Sequence, residues 1–77
     1  MFDDNFIYRG KDLKMLKERY LPGTRLVLVN MDGEPDMTEG LEGVVSHVDD
    51  IGQIHMCWDN GRTLALVYGK DSFYESV

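Results

Sequence analysis

Gln53-Ile54-His55-Met56-Cys57-Trp58, followed by Asp59-Asn60-Gly61, is the stretch on which the fold turns. Ile54, Met56 and Trp58 alternate with Gln53, His55 and Cys57, the period-two pattern of a half-buried antiparallel strand. Asn-Gly directly after it favours a primed turn, whose twist suits a hairpin. Arg62 to Val67 is therefore expected to return as the partner strand, with Leu64 and Leu66 inward. Trp58 falls in the inward series and reads as core, not as the wall of a ligand cage.

Upstream, Gly43 to Val48 is the preceding strand, joined to Gln53 through Asp49-Asp50-Ile51-Gly52, residues that supply the hydrogen bonds and positive φ of a tight turn. Thr24 to Met31 is the first strand. Its Leu26, Val27, Leu28 and Val29 are apolar on both faces, which predicts cover on both sides, with the helix described below on the outside. Between them Asp32 to Leu41, with Gly33, Pro35, Gly40 and the acids Asp32, Glu34, Asp36 and Glu39, has the composition of a loop and no core element. Downstream, Tyr68-Gly69-Lys70-Asp71 breaks the fourth strand, and Ser72 to Val77 suffices for one turn and a closing fifth strand.

Lys11 to Tyr20 changes period, placing Leu13, Leu16 and Tyr20 three and four apart on one side of a short amphipathic helix that stops at Leu21-Pro22-Gly23. A helix of this length is unstable alone, so that side must dock on the barrel or on a partner. Phe2, Phe6, Ile7 and Tyr8 pose the same question: they pack on the domain or make a dimer or partner contact. Five short strands in meander order are best satisfied by curling into a barrel with few open edges. The expected fold is mainly β: a small five-stranded SH3-like barrel over residues 23–77, preceded by residues 1–22 as an N-terminal segment and short α-helix.

Pro22-Gly23-Thr24-Arg25, Gly43-Val44-Val45, Val48-Asp49-Asp50-Ile51-Gly52, Ile54-His55, Trp58-Asp59-Asn60-Gly61 and Tyr68-Gly69-Lys70-Asp71-Ser72-Phe73 together resemble domain-of-unknown-function family 4314 over roughly residues 20–75. The resemblance implies a small SH3-like barrel, met in bacteria and often on phages and other mobile elements, with no activity established. Val27 and Val29 depart from the polar residues expected on the outside of such a barrel. A hairpin motif transfers architecture and leaves function open.

The chain has 77 residues, enough for one domain. Cys57 is its one cysteine and has no intramolecular partner; with an acidic Met1-Phe2-Asp3-Asp4-Asn5 start in place of a leader, this predicts a reducing, cytoplasmic setting. Apolar runs of four residues, Leu26 to Val29 and Leu64 to Val67, fall far short of the ~20 that span a bilayer. Formal charge is −6: residues 1–22 carry five basic against four acidic groups, residues 23–77 three against ten. A field of that sign repels phosphate backbones, so direct nucleic-acid binding is disfavoured.

No chemistry is assembled by spacing. His47, His55 and Cys57 are the soft ligands, and a structural zinc site wants four at recognisable intervals. His55 and Cys57 share a strand face, but no third residue is placed by sequence to orient the histidine. Counting from Asp32 as an EF-hand loop gives acids at the first, third and fifth positions, yet Met37 at the sixth and Gly43 at the twelfth break the pattern. The sequence thus predicts no enzyme, no cofactor and no metal.

What remains is a non-catalytic protein-binding module, a stoichiometric regulator of a host protein if the mobile-element association holds. Asp32, Glu34 and Asp36 with Tyr68 and Tyr74 are the expected contact, an acidic aromatic groove for a basic protein partner. Two other readings stand beside it. One is an acidic inhibitor of a nucleic-acid-handling protein such as a nuclease or CRISPR effector. The other is direct nucleic-acid binding through Arg9, Lys11, Lys14, Lys17 and Arg19.

Overall fold

The computed structural model describes residues 10–76. Helix α1 spans Gly10–Arg19, with Asp12 in its first turn and Lys17 and Arg19 in its last, signs that suit the helix dipole. Strands follow at β1 (Arg25–Asn30), β2 (Glu42–Val48), β3 (Gln53–Trp58), β4 (Leu66–Val67) and β5 (Ser72–Glu75). They form one antiparallel sheet in the order β4-β3-β2-β1-β5.

Mainly β with a short leading helix is the observed class, but the sheet is open where a closed barrel was expected. β4 and β5 lie at opposite edges and do not pair. The reason is the loss of most of the fourth strand. The indole N–H of Trp58 donates to the Leu64 carbonyl at 2.8 Å, drawing that segment to the core, and only Leu66 and Val67 run in the sheet. A two-residue strand has too few backbone groups to close a barrel.

Both hairpins use three-residue loops. The Gly61 N–H donates to the Trp58 carbonyl at 3.0 Å and the Trp58 N–H to the Arg62 carbonyl at 2.9 Å, with φ of 90° at Gly61 and no positive φ at Asn60. That is a type I turn closed by a left-handed glycine, and it replaces the expected primed turn. Gly52, with φ of 87°, closes the β2–β3 loop in the same way, donating to the Asp49 carbonyl at 3.0 Å.

The core gathers Leu26 and Leu28 of β1, Val45 and Val48 of β2, Ile54, Met56 and Trp58 of β3, and Leu66 of β4. Leu16 of α1 and Tyr20, directly after its last residue, join it, so the helix docks on the sheet's inner side, against β2. It does not cover the outer side of β1 as expected. Val27 is nonetheless buried there, between its cross-strand neighbours Glu42 and Tyr74, while Val29 is exposed. The acidic loop also gives up a core residue, since Met37 is 5% exposed.

Candidate functional site

Along α1 runs a groove of about 250 Å³ lined by Asp12, Met15, Leu16, Arg19, Tyr20 and Tyr68. Helical spacing puts Asp12, Met15, Leu16 and Arg19 on one side of α1, and the β4–β5 turn supplies Tyr68. Tyr20 and Leu16 are its buried floor, while Met15 is 62% and Tyr68 45% exposed. Tyr20, Tyr68 and Phe73 form an aromatic triangle with centroids 5.7–6.3 Å apart and tilted or edge-on rings. Burial pushes the Tyr20 phenol above its ordinary value, against the pull of Arg19, whose guanidinium lies over the ring at 5.4 Å. Arg19 is also held by Glu75 at 3.0 Å.

The acidic loop forms a second, shallower depression lined by Asn30, Met31, Asp32, Gly33, Glu34, Pro35 and Met37. Its carboxylates are partly engaged. Arg62 pairs with Asp36 and, at 3.6 Å, with Glu34, while Asn60 donates to the Asp36 carbonyl at 3.1 Å. Asn30 donates to Asp32 at 3.0 Å. These contacts tie the loop to the β3–β4 hairpin.

A third cluster lies where β2 turns into β3. Asp49 Oδ1 accepts the Ile51 and Gln53 N–H groups at 3.1 and 2.9 Å, and its Oδ2 lies 2.7 Å from His55 Nε2. The His55 ring stacks on His47 with centroids 4.4 Å apart and planes within 6°. Burial pushes the Asp49 carboxyl up, but the bonds from His55, Gln53 and Ile51 outweigh it and hold the group below its ordinary value.

The model of a domain of unknown function, DUF4314, matches residues 9–75, most of the chain. The chain belongs to the DUF4314 family. No curated protein matches the sequence.

In this DUF4314 domain the expected contact residues fall in separate places. Asp32 and Glu34 line the loop depression, Asp36 pairs with Arg62, Tyr68 lines the α1 groove, and Tyr74 stands 57% exposed on the outer face of β5. Neither the groove nor the loop depression joins them. Phe2, Phe6, Ile7, Tyr8 and Arg9 lie outside the described residues. Two features went unread in the sequence. Asp49 orients His55, a role its place at the head of a tight turn signals. His47 meets His55 because a bulge between Val45 and His47 shifts the register. Among the described residues no group of three or more His, Cys, Asp and Glu could hold a metal ion, and no helix is long and apolar enough to cross a membrane.

Proposed function

We propose that this DUF4314 domain is a non-catalytic protein-binding module that receives a basic, apolar-anchored segment of a host protein in the α1 groove and regulates that protein by stoichiometric binding. The observation that carries the reading is the groove: Met15 stays exposed and Tyr68 a little under half exposed over a buried Leu16 and Tyr20 floor. Apolar surface grouped in a concavity with a charged rim is the usual form of a recognition site. The sign of the partner follows from ten acids against three bases in residues 23–77. Asp12 is the rim carboxylate, and the acidic loop, with two of its acids occupied by Arg62, serves as a longer-range attraction. The strand order, a meander whose fifth strand returns to β1, supports an SH3-like architecture left open between β4 and β5.

Calorimetric titration against a partner captured from the native host and then purified tests this. Met15→Glu with Tyr68→Ala is expected to weaken binding at least ~10-fold, as loss of central anchors does. Asp32→Lys with Asp36→Lys should slow association, followed by stopped-flow mixing, and flatten its salt dependence. Full affinity in the groove variant overturns the assignment. So does binding to bare DNA or RNA at physiological salt that disappears when Lys14 and Lys17 are changed.

A further inference from the structure

The side of α1 that lines the groove is complementary to its own reverse. Asp12, Met15, Leu16 and Arg19 fall at the i, i+3, i+4 and i+7 positions of one stripe, an acid at its start, a base at its end and apolar side chains between. The midpoint lies between Met15 and Leu16, so residues 12 and 19 stand equally far from it, about 5 Å along the axis to either side. We propose that the occupant this stripe fits is a second copy of the domain: two α1 helices pack antiparallel about a two-fold axis at that midpoint, with Asp12 of each against Arg19 of the other.

A two-fold contact requires that residue i meet j while j meets i, and opposite charges at equal distances from the centre satisfy this in the antiparallel orientation. Parallel packing sets like charge against like. The stripe is neutral as a whole, although the domain carries −6. Met15, 62% exposed, sits beside the axis and faces the other copy's groove, whose floor is Leu16 and Tyr20 and whose far wall is Tyr68. A thioether packs well on such an aromatic lining, and a space of about 250 Å³ admits the side chain. Arg19 already meets Glu75 at 3.0 Å and the Tyr20 ring, yet its side chain is 63% exposed and a guanidinium has five N–H donors, enough for a second carboxylate. A helix of ten residues is about 15 Å long, so the contact is small. The dimer is accordingly weak, with a Kd on the order of 0.1–1 mM. Closed in this way it covers the groove, so self-association and the host segment compete. That competition rests on the binding reading above, whereas the dimer does not.

Sedimentation equilibrium of the full chain tests this. Between about 0.05 and 1 mM protein, in about 0.15 M sodium chloride, the mean mass is expected to rise from that of one chain toward that of two. Asp12→Lys and Arg19→Glu each set like charges at both ends, because the axis doubles every change, and each alone is expected to weaken association about tenfold. Mixed in equal amounts, one variant offers two cations and the other two carboxylates along the stripe, so the mixture is expected to regain the native association as a heterodimer. The Arg19–Glu75 pair stays broken in Arg19→Glu, so recovery reports the contact between copies alone. Met15→Ala, at the centre, should weaken association several-fold with no change of charge. Residues 12, 15 and 19 are exposed, so the variants are expected to fold, and far-ultraviolet circular dichroism verifies that before the comparison. A native chain that stays monomeric throughout overturns the dimer. So does growth beyond two chains, the mark of a head-to-tail contact, or a mixture that associates no better than its components. The measurement contains no host protein, so its failure leaves the binding reading of the groove in place.

Discussion

At the scale of single residues, Gly43 and Trp58 are one feature. They are cross-strand partners, and a Cβ at residue 43 would come 2.8 Å from Trp58 Cε3 and from the Cys57 carbonyl oxygen. Since one of those atoms is backbone, a ring shift alone cannot make room. Gly43→Ala is expected to cost about 1–3 kcal/mol through overpacking, and Trp58→Ala about 3–5 kcal/mol through the cavity it leaves. Denaturant titration of both variants and of the double variant should give a sub-additive sum, because the two sites touch; strict additivity would remove the close approach. Asp49 makes a second prediction at this scale. Its carboxyl is held below the ordinary value of 3.8, so its stabilisation is complete above that value and is lost as pH falls through the depressed one. The stability difference between the native protein and Asp49→Asn, measured by urea titration, should lose its carboxylate part only below about pH 4; loss of that part already between pH 7 and 5 would contradict the bonding described.

At the scale of elements, what the sequence discloses depends on whether neighbours along the chain decide the outcome. β3 was legible to the residue, Gln53–Trp58, because its alternation is unbroken and its burial follows it. The helix was legible within one residue at each end. β4 was not, because its shortening depends on an indole reaching the Leu64 carbonyl across the hairpin, a tertiary bond that propensity does not register. The bulge in β2 did leave a trace: inward Val45 and Val48 are three apart, an interval no regular strand allows. The candidate groove was half legible. Tyr68 stood out as an aromatic without a place in the core, but Asp12 and Met15 join it from some fifty residues away, and only the fold brings them together. The docking of α1 is testable on its own. Leu16 is 6% exposed and Met15 62%, so Leu16→Ala should cost about 2–5 kcal/mol and Met15→Ala less than about 0.5 kcal/mol in thermal or chemical denaturation. Comparable losses at the two neighbours would mean that the helix is turned about its axis.

At the scale of the whole molecule, two electrostatic effects oppose each other, and salt separates them. A formal charge of −6 is confined to a body whose described part measures 33 × 25 × 19 Å. At 0.01 M ionic strength the screening length is about 30 Å, so carboxylates repel across the entire domain; at 0.15 M it is about 8 Å and the repulsion becomes local. Ion pairs act in the other direction, since screening weakens them. The pairs Lys17–Asp50, Arg19–Glu75, Arg25–Asp59 and Arg62–Asp36 all join side chains at least 37% exposed. Exposed pairs contribute between about 0 and 1 kcal/mol each and often nothing measurable. The summed repulsion of the excess acids should therefore win. Scanning calorimetry at 0.01 and 0.15 M sodium chloride, at pH 7, is expected to show Tm rising by about 3 °C, the shift that roughly half a kcal/mol produces in a domain of this length. The rise should be larger in Arg62→Gln, which frees the Asp36 and Glu34 carboxylates and adds one more unit of net negative charge. A Tm that falls with salt would mean that the Arg62 and Arg19 pairs hold the loop and the helix end more strongly than their exposure allows, and that the acidic surface is less available to a basic partner than the groove reading requires.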